Sequence, residues 1–91
     1  MSRVLIVTYD LVAPGKNYEP LLKVLKSFGA WARLGGSSYL VVTDQDPATV
    51  RDRLKTVLDS NDKLYVGVSP APSAWSGMPN EVSNWIVANQ K

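Results

Sequence analysis

Asp10 is the residue on which chemistry would most directly turn. It closes the run VLIVTYD, residues 4–10, in which four apolar residues lead through Thr8 and Tyr9 to a carboxylate. A carboxylate at the carboxyl end of an apolar strand can hold a metal ion or serve as a general base. A turn-forming role is the alternative, because an Asp side chain readily bonds nearby backbone N–H groups. The chain contains no cysteine and no histidine. That removes disulfides, thiolate or imidazole zinc sites, cysteine nucleophiles and every His-dependent triad. Any metal would be a hard cation held by oxygen, Mg²⁺ or Mn²⁺. One Asp is too few ligands for such an ion, and the other acids fall mostly in the second helix or in turns. A two-fold dimer would bring two copies of Asp10 together, and two carboxylates with waters could hold one divalent ion over a phosphodiester.

Other polar residues could contact phosphate. Ser37 and Ser38 follow Gly35-Gly36 and could donate hydrogen bonds, although Ser after Gly-Gly is also ordinary turn chemistry. Lys16, Arg33 and Arg3 would form a basic patch if the first loop, the hairpin and the first strand converge; solvated surface charge is the plainer account. Arg51, Arg53 and Lys55 share their helix with Asp52 and read as a mixed, solvated face. The loop APGKNY lacks the glycine spacing of a phosphate-cradling P-loop. Tyr9, Tyr39 and Tyr65 read as core or interface aromatics. The third strand, SSYLVVT, lacks the basic-Gly-aromatic signature of an RNA-recognition platform.

The elements that would position these residues follow from periodicity. VLIV, β-branched and without alternation, suits a central strand. Asn17 is a candidate N-cap for a helix over YEPLLKVLKSF, with Leu21, Leu22, Leu25 and Phe28 on one face and Gly29 ending it left-handed. AWARL and SSYLVVT flank Gly35-Gly36, a hairpin signal in which a tight turn would need positive φ. Asp46-Pro47 predicts an N-cap followed by proline at the first helical position, and Val50, Leu54, Val57 and Leu58 form the buried stripe of that second helix. KLYVGV is the fourth strand. The order β-α-β-β-α-β predicts a ferredoxin-like α+β sandwich over residues 1–68, four antiparallel strands with two helices on one face. Residues 69–91 form a Pro-rich segment and then a short helix capped by Asn80, with Val82, Trp85 and Ile86 on one side. Two helices leave the other sheet face open, so Trp75 and Trp85 are expected to cover that face or a second subunit.

Composition bounds the partners. Ninety-one residues make one domain with a modest core, for which oligomerisation would add burial. Net charge is +2, and all of the excess lies in residues 1–45. This is a weak basic bias rather than a polybasic nucleic-acid footprint. No stretch approaches the roughly 20 apolar residues that span a bilayer, and the apolar run after Arg3 is too short for a secretory signal core. The expectation is a soluble cytoplasmic protein with no membrane partner.

Taken together, the strand ending in VTYDL, the helix and hairpin YEPLLKVLKSFGAWARLGGSSYLV and the closing LDSNDKLYVG resemble the CRISPR-associated Cas-two superfamily. The likeness is nearest to its stand-alone SinR-like branch, which SAWSGMP in the tail also fits, with virulence-associated protein D more distant. The resemblance implies a ferredoxin-like homodimer whose sheets face each other across the two-fold axis. It implies that Asp10 is the shared Mg²⁺ ligand and catalytic residue, and that Ser38 or Ser37 is the serine of the third strand. It implies metal-dependent cleavage of RNA or DNA, or a non-catalytic scaffold that binds nucleic acid. The chain departs from the Cas-two pattern at Lys16-Asn17-Tyr18-Glu19, where that branch places arginines, and in its tail, where that branch has an end strand.

Overall fold

The computed structural model describes residues 2–12 and 19–91, and within them seven elements follow one another. They are β1 (Arg3–Asp10), α1 (Glu19–Lys26), β2 (Trp31–Gly35), β3 (Ser38–Thr43), α2 (Pro47–Lys55), β4 (Lys63–Val68) and α3 (Asn80–Asn89). The strands form one antiparallel sheet in the order β2-β3-β1-β4. This is the ferredoxin-like arrangement, with the two hairpin-connected strands displaced to one side of the sheet.

Side-chain alternation divides β1 between two cores. Leu5, Val7 and Tyr9 face α1 and α2 and pack with Leu21, Leu25, Phe28, Tyr39, Val41, Val50 and Leu54. Val4 and Ile6 face the opposite way, where Leu40 and Ile86 complete a second cluster with Trp75, Val82 and Trp85 around them. The lack of alternation in VLIV therefore reflects burial on both faces. α3 supplies the second cover, and Ile86 is its one fully buried residue.

Local chemistry explains where elements begin and end. α1 stops at Lys26, and Gly29 follows at φ 64°, the left-handed conformation expected there. The hairpin differs from expectation. Its turn is Gly36-Ser37 rather than Gly35-Gly36, and neither glycine has positive φ. A register shift between Arg33 and Gly35 accommodates the extra residue of β2, so a bulge does the work assigned to a primed turn. Asp46 stands at the N-cap of α2 with Pro47 inside the helix, yet its carboxylate makes no cap bond. It pairs instead with Arg3 at 3.2 Å. α2 ends at Lys55, and Val57 and Leu58 reach the core from tighter turns, their N–H groups donating to Leu54 and Lys55 carbonyls at 3.1 and 3.2 Å. Pro79, not Asn80, occupies the N-cap position of α3.

The segment between β4 and α3 is held at its start and at its middle. The Trp75 indole N–H donates to Ser83 Oγ at 3.0 Å. The Gln90 amide donates to the Ser69 carbonyl at 2.9 Å, and Ala71 N–H donates to the Lys91 carbonyl at 2.9 Å. Ser69 N–H in turn donates to the Val4 carbonyl at 2.9 Å, so this closure sits beside the start of β1. Among the described residues, no helix is long and apolar enough to cross a membrane.

Candidate functional site

Asp10 is the last residue of β1 and is exposed. With Val4, Ile6 and Thr8 it belongs to the face turned away from α1 and α2. α3 covers that face around Val4, Ile6 and Leu40 and reaches Leu34 of β2. The end carrying Asp10 is open and polar. There Thr8 lies between Ser38 of β3 and Tyr65 of β4, and Asp10 lies opposite Lys63 of β4. The Ser38 hydroxyl donates to Thr8 Oγ1 at 3.2 Å. Ser38 is thus a diagonal neighbour of Asp10 on one face, about 7–8 Å away by strand geometry. Thr8, Asp10, Lys63 and Tyr65 line a shallow depression of about 200 Å³. That is below the roughly 300 Å³ at which small-molecule pockets begin, and it suits contact with an extended surface better than capture of a metabolite.

Tyr65 is 63% exposed and lies back along its strand over Gly67. A Cβ on Gly67 would stand 3.1 Å from the far end of the tyrosine ring, so glycine there lets an aromatic lie flat on the open face. The segment leaving β1 is tied down beside this patch. Asp62 accepts from Val12 N–H at 3.0 Å through one carboxylate oxygen and from Asp59 N–H at 2.9 Å through the other.

The residues singled out from the sequence fall into separate places. Asp10 and Ser38 share the open end of one face. Ser37 belongs to the hairpin turn, where its carbonyl accepts from Tyr9 N–H at 3.0 Å. Arg33 pairs with Tyr39 in register and so faces α1, on the opposite side of the sheet from Asp10. Arg3 lies at the far end of β1 from the hairpin, paired with Asp46, so Arg3 and Arg33 do not converge. Lys16 and the candidate cap Asn17 lie outside the described residues. Trp75 and Trp85 are half-buried against this chain's own sheet. Sequence reasoning missed Thr8, Lys63 and Tyr65 as companions of Asp10. The signal was present as the two-residue spacing of Thr8 and Asp10, but the continuous apolar run before them hid the alternation.

The donor set sets a limit on metal chemistry. Among the described residues, no three acidic side chains gather where they could hold an ion. The cross-strand neighbour of Asp10 is a lysine. Mg²⁺ keeps several waters and takes one or two carboxylates, and on this part of the face Asp10 is the carboxylate that the described residues supply. No known protein-family model and no solved structure matches this chain.

Proposed function

We propose that this chain is a Cas-two-like protein, nearest to the SinR-like branch, that works as a homodimer on nucleic acid, with metal-dependent endonuclease activity toward RNA or DNA centred on Asp10. The observation that supports this reading is the exposed carboxylate of Asp10 on the one part of the sheet that α3 leaves uncovered. A mate approaching this sheet face to face is excluded from the Val4 end by α3 and is left the end carrying Asp10, Thr8 and Ser38. Two carboxylates would then hold Mg²⁺, which when bound would polarise a phosphodiester and lower the pKa of a water. Ser38 would keep Thr8 oriented beside them.

A second reading is favoured by Lys63. An ammonium in the cross-strand position to Asp10 competes with a cation for the carboxylate and suits phosphate contact. On that reading the dimer is a non-catalytic module that binds nucleic acid.

The test is cleavage of single-stranded RNA and of duplex DNA with Mg²⁺ or with EDTA. Cleavage by the wild type with Mg²⁺, lowered at least about 100-fold in Asp10→Ala, is the expected result, in keeping with loss of a metal ligand. Equal cleavage by the two proteins would sink the nuclease reading. Binding without cleavage would leave the second.

A further inference from the structure

The face turned toward α1 carries chemistry that Asp10 does not use. Between α1 and the edge strand β2 lies an open cleft of about 480 Å³, with Tyr9, Trp31 and Tyr39 along its floor and Lys26 and Arg33 at its sides. Strand alternation sets Trp31 and Arg33 on one face of β2, opposite Val41 and Tyr39. The Tyr39 and Trp31 rings stand 6.1 Å apart at 49°, a tilted packing that holds the indole in place. Trp31 nevertheless remains 37% exposed. Lys26, in the last turn of α1, brings its ammonium to 4.9 Å from the Trp31 ring centroid. Arg33 Nε donates to the Gly35 carbonyl at 3.0 Å, which tethers the guanidinium to the hairpin.

The charge of this cleft is one-sided. Among the described residues, neither Lys26 nor Arg33 forms an ion pair. None of the described residues that line the cleft is acidic; Glu19 and Glu81 line adjoining hollows. A fixed, partly exposed indole recognises a flat π-system, and a guanidinium with an ammonium recognises phosphate. The volume falls within the range of small-ligand clefts. We propose that this cleft binds one nucleotide unit of a single-stranded nucleic acid, its base on Trp31 and its phosphate between Lys26 and Arg33. The base takes the ring face that Lys26 now covers, and the released ammonium turns to the phosphate. The proposal rests on the nucleic-acid part of the reading above and is independent of catalysis at Asp10. Tyr9 on the cleft floor is the chain neighbour of Asp10, so the cleft and the carboxylate occupy opposite faces of the same end of the sheet.

The experiment is anisotropy of a fluorescein-labelled single-stranded oligoadenylate in EDTA, across a salt series, with AMP and unlabelled oligoadenylate as competitors. Trp31→Ala is expected to weaken binding about tenfold or more, and Trp31→Phe to keep most of it. Lys26→Gln with Arg33→Gln is expected to flatten the slope of log K against log salt by about 0.7, from the one phosphate that the two side chains share on a single strand. Val87→Ala, on the exposed side of α3 and across the sheet from the cleft, should bind as the wild type does. Should Trp31→Ala fail to fold by circular dichroism, the two glutamine variants carry the test, since both side chains are exposed. Folded cleft variants that bind like the wild type would overturn the cleft and leave the nucleic-acid reading standing. No binding by the wild type would overturn both. Competition by AMP as strong as by the oligomer would overturn the single-strand ligand in favour of a free nucleotide.

Discussion

Lys63 is the side chain whose replacement separates the two readings of Asp10. If two Asp10 carboxylates hold Mg²⁺, the neighbouring ammonium opposes the metal, and Lys63→Ala should lower the Mg²⁺ concentration needed for half-maximal cleavage. If the patch only contacts phosphate, Lys63→Ala should weaken nucleic-acid binding and reduce the salt slope by about 0.7 to 0.9, the value of one contact. A Mg²⁺ titration and a salt titration on the same variant decide between them. A variant that changes neither would remove Lys63 from the site. Lys63 is exposed and stands opposite Asp10 in the strand register, so truncating its side chain leaves the ladder intact. Ser38 is different. Its hydroxyl is part-buried and donates to Thr8 Oγ1, which leaves its oxygen lone pairs, but not its proton, for a further contact.

At the scale of elements, α3 decides how much of the sheet is available. Its hold on the sheet is concentrated at Ile86, with Val82, Trp75 and Trp85 half-buried around that residue. Ile86→Asp should place an unpaired charge in that cluster and release the helix. The expected readouts are a red shift in tryptophan emission and protease cleavage within residues 69–79, with the wild type resistant. Unchanged emission would mean that Trp75 and Trp85 do not depend on the helix. The face of α3 was legible in the spacing of Val82, Trp85 and Ile86, and so was the strand and helix order up to Val68. Boundaries were less legible for physical reasons. The Gly35-Gly36 pair suggested a primed turn, but a bulge in an edge strand served instead. Asp46 was correctly placed as an N-cap position, while its carboxylate turned to Arg3, forty-three residues away in sequence, and no local pattern encodes such a partner. The cleft beside α1 was invisible to periodicity for a similar reason. Lys26 and Trp31 meet only because the chain reverses at Gly29, whose left-handed conformation directs β2 back along the helix.

At the scale of the whole molecule the sheet is unequally covered. One face is covered by α1 and α2; the other is covered by α3 around Val4, Ile6, Leu40 and Leu34 and is open toward Thr8 and Asp10. A dimer built on the remaining open end would bury Tyr65 and Thr8 and bring the Asp10 carboxylates together. Sedimentation at micromolar concentration should therefore give twice the chain mass of 10.0 kDa. A monomer under those conditions would remove the shared metal site, while the cleft between α1 and β2, complete within one chain, would be unaffected. Asp10 itself was legible as a candidate from its place after an apolar run. Its surroundings were not, because Lys63 and Ser38 reach it through pairings set by the fold of the entire sheet.

The clasp formed by Ser69, Ala71, Gln90 and Lys91 beside the start of β1 has a practical meaning for orientation. Arg3 and Lys91 both emerge at one pole, whereas Asp10 and the hairpin occupy the other. A fluorophore or surface anchor attached at Arg3 or Ser69 would stand at the clasped pole and leave the polar tip clear for the flowing sample.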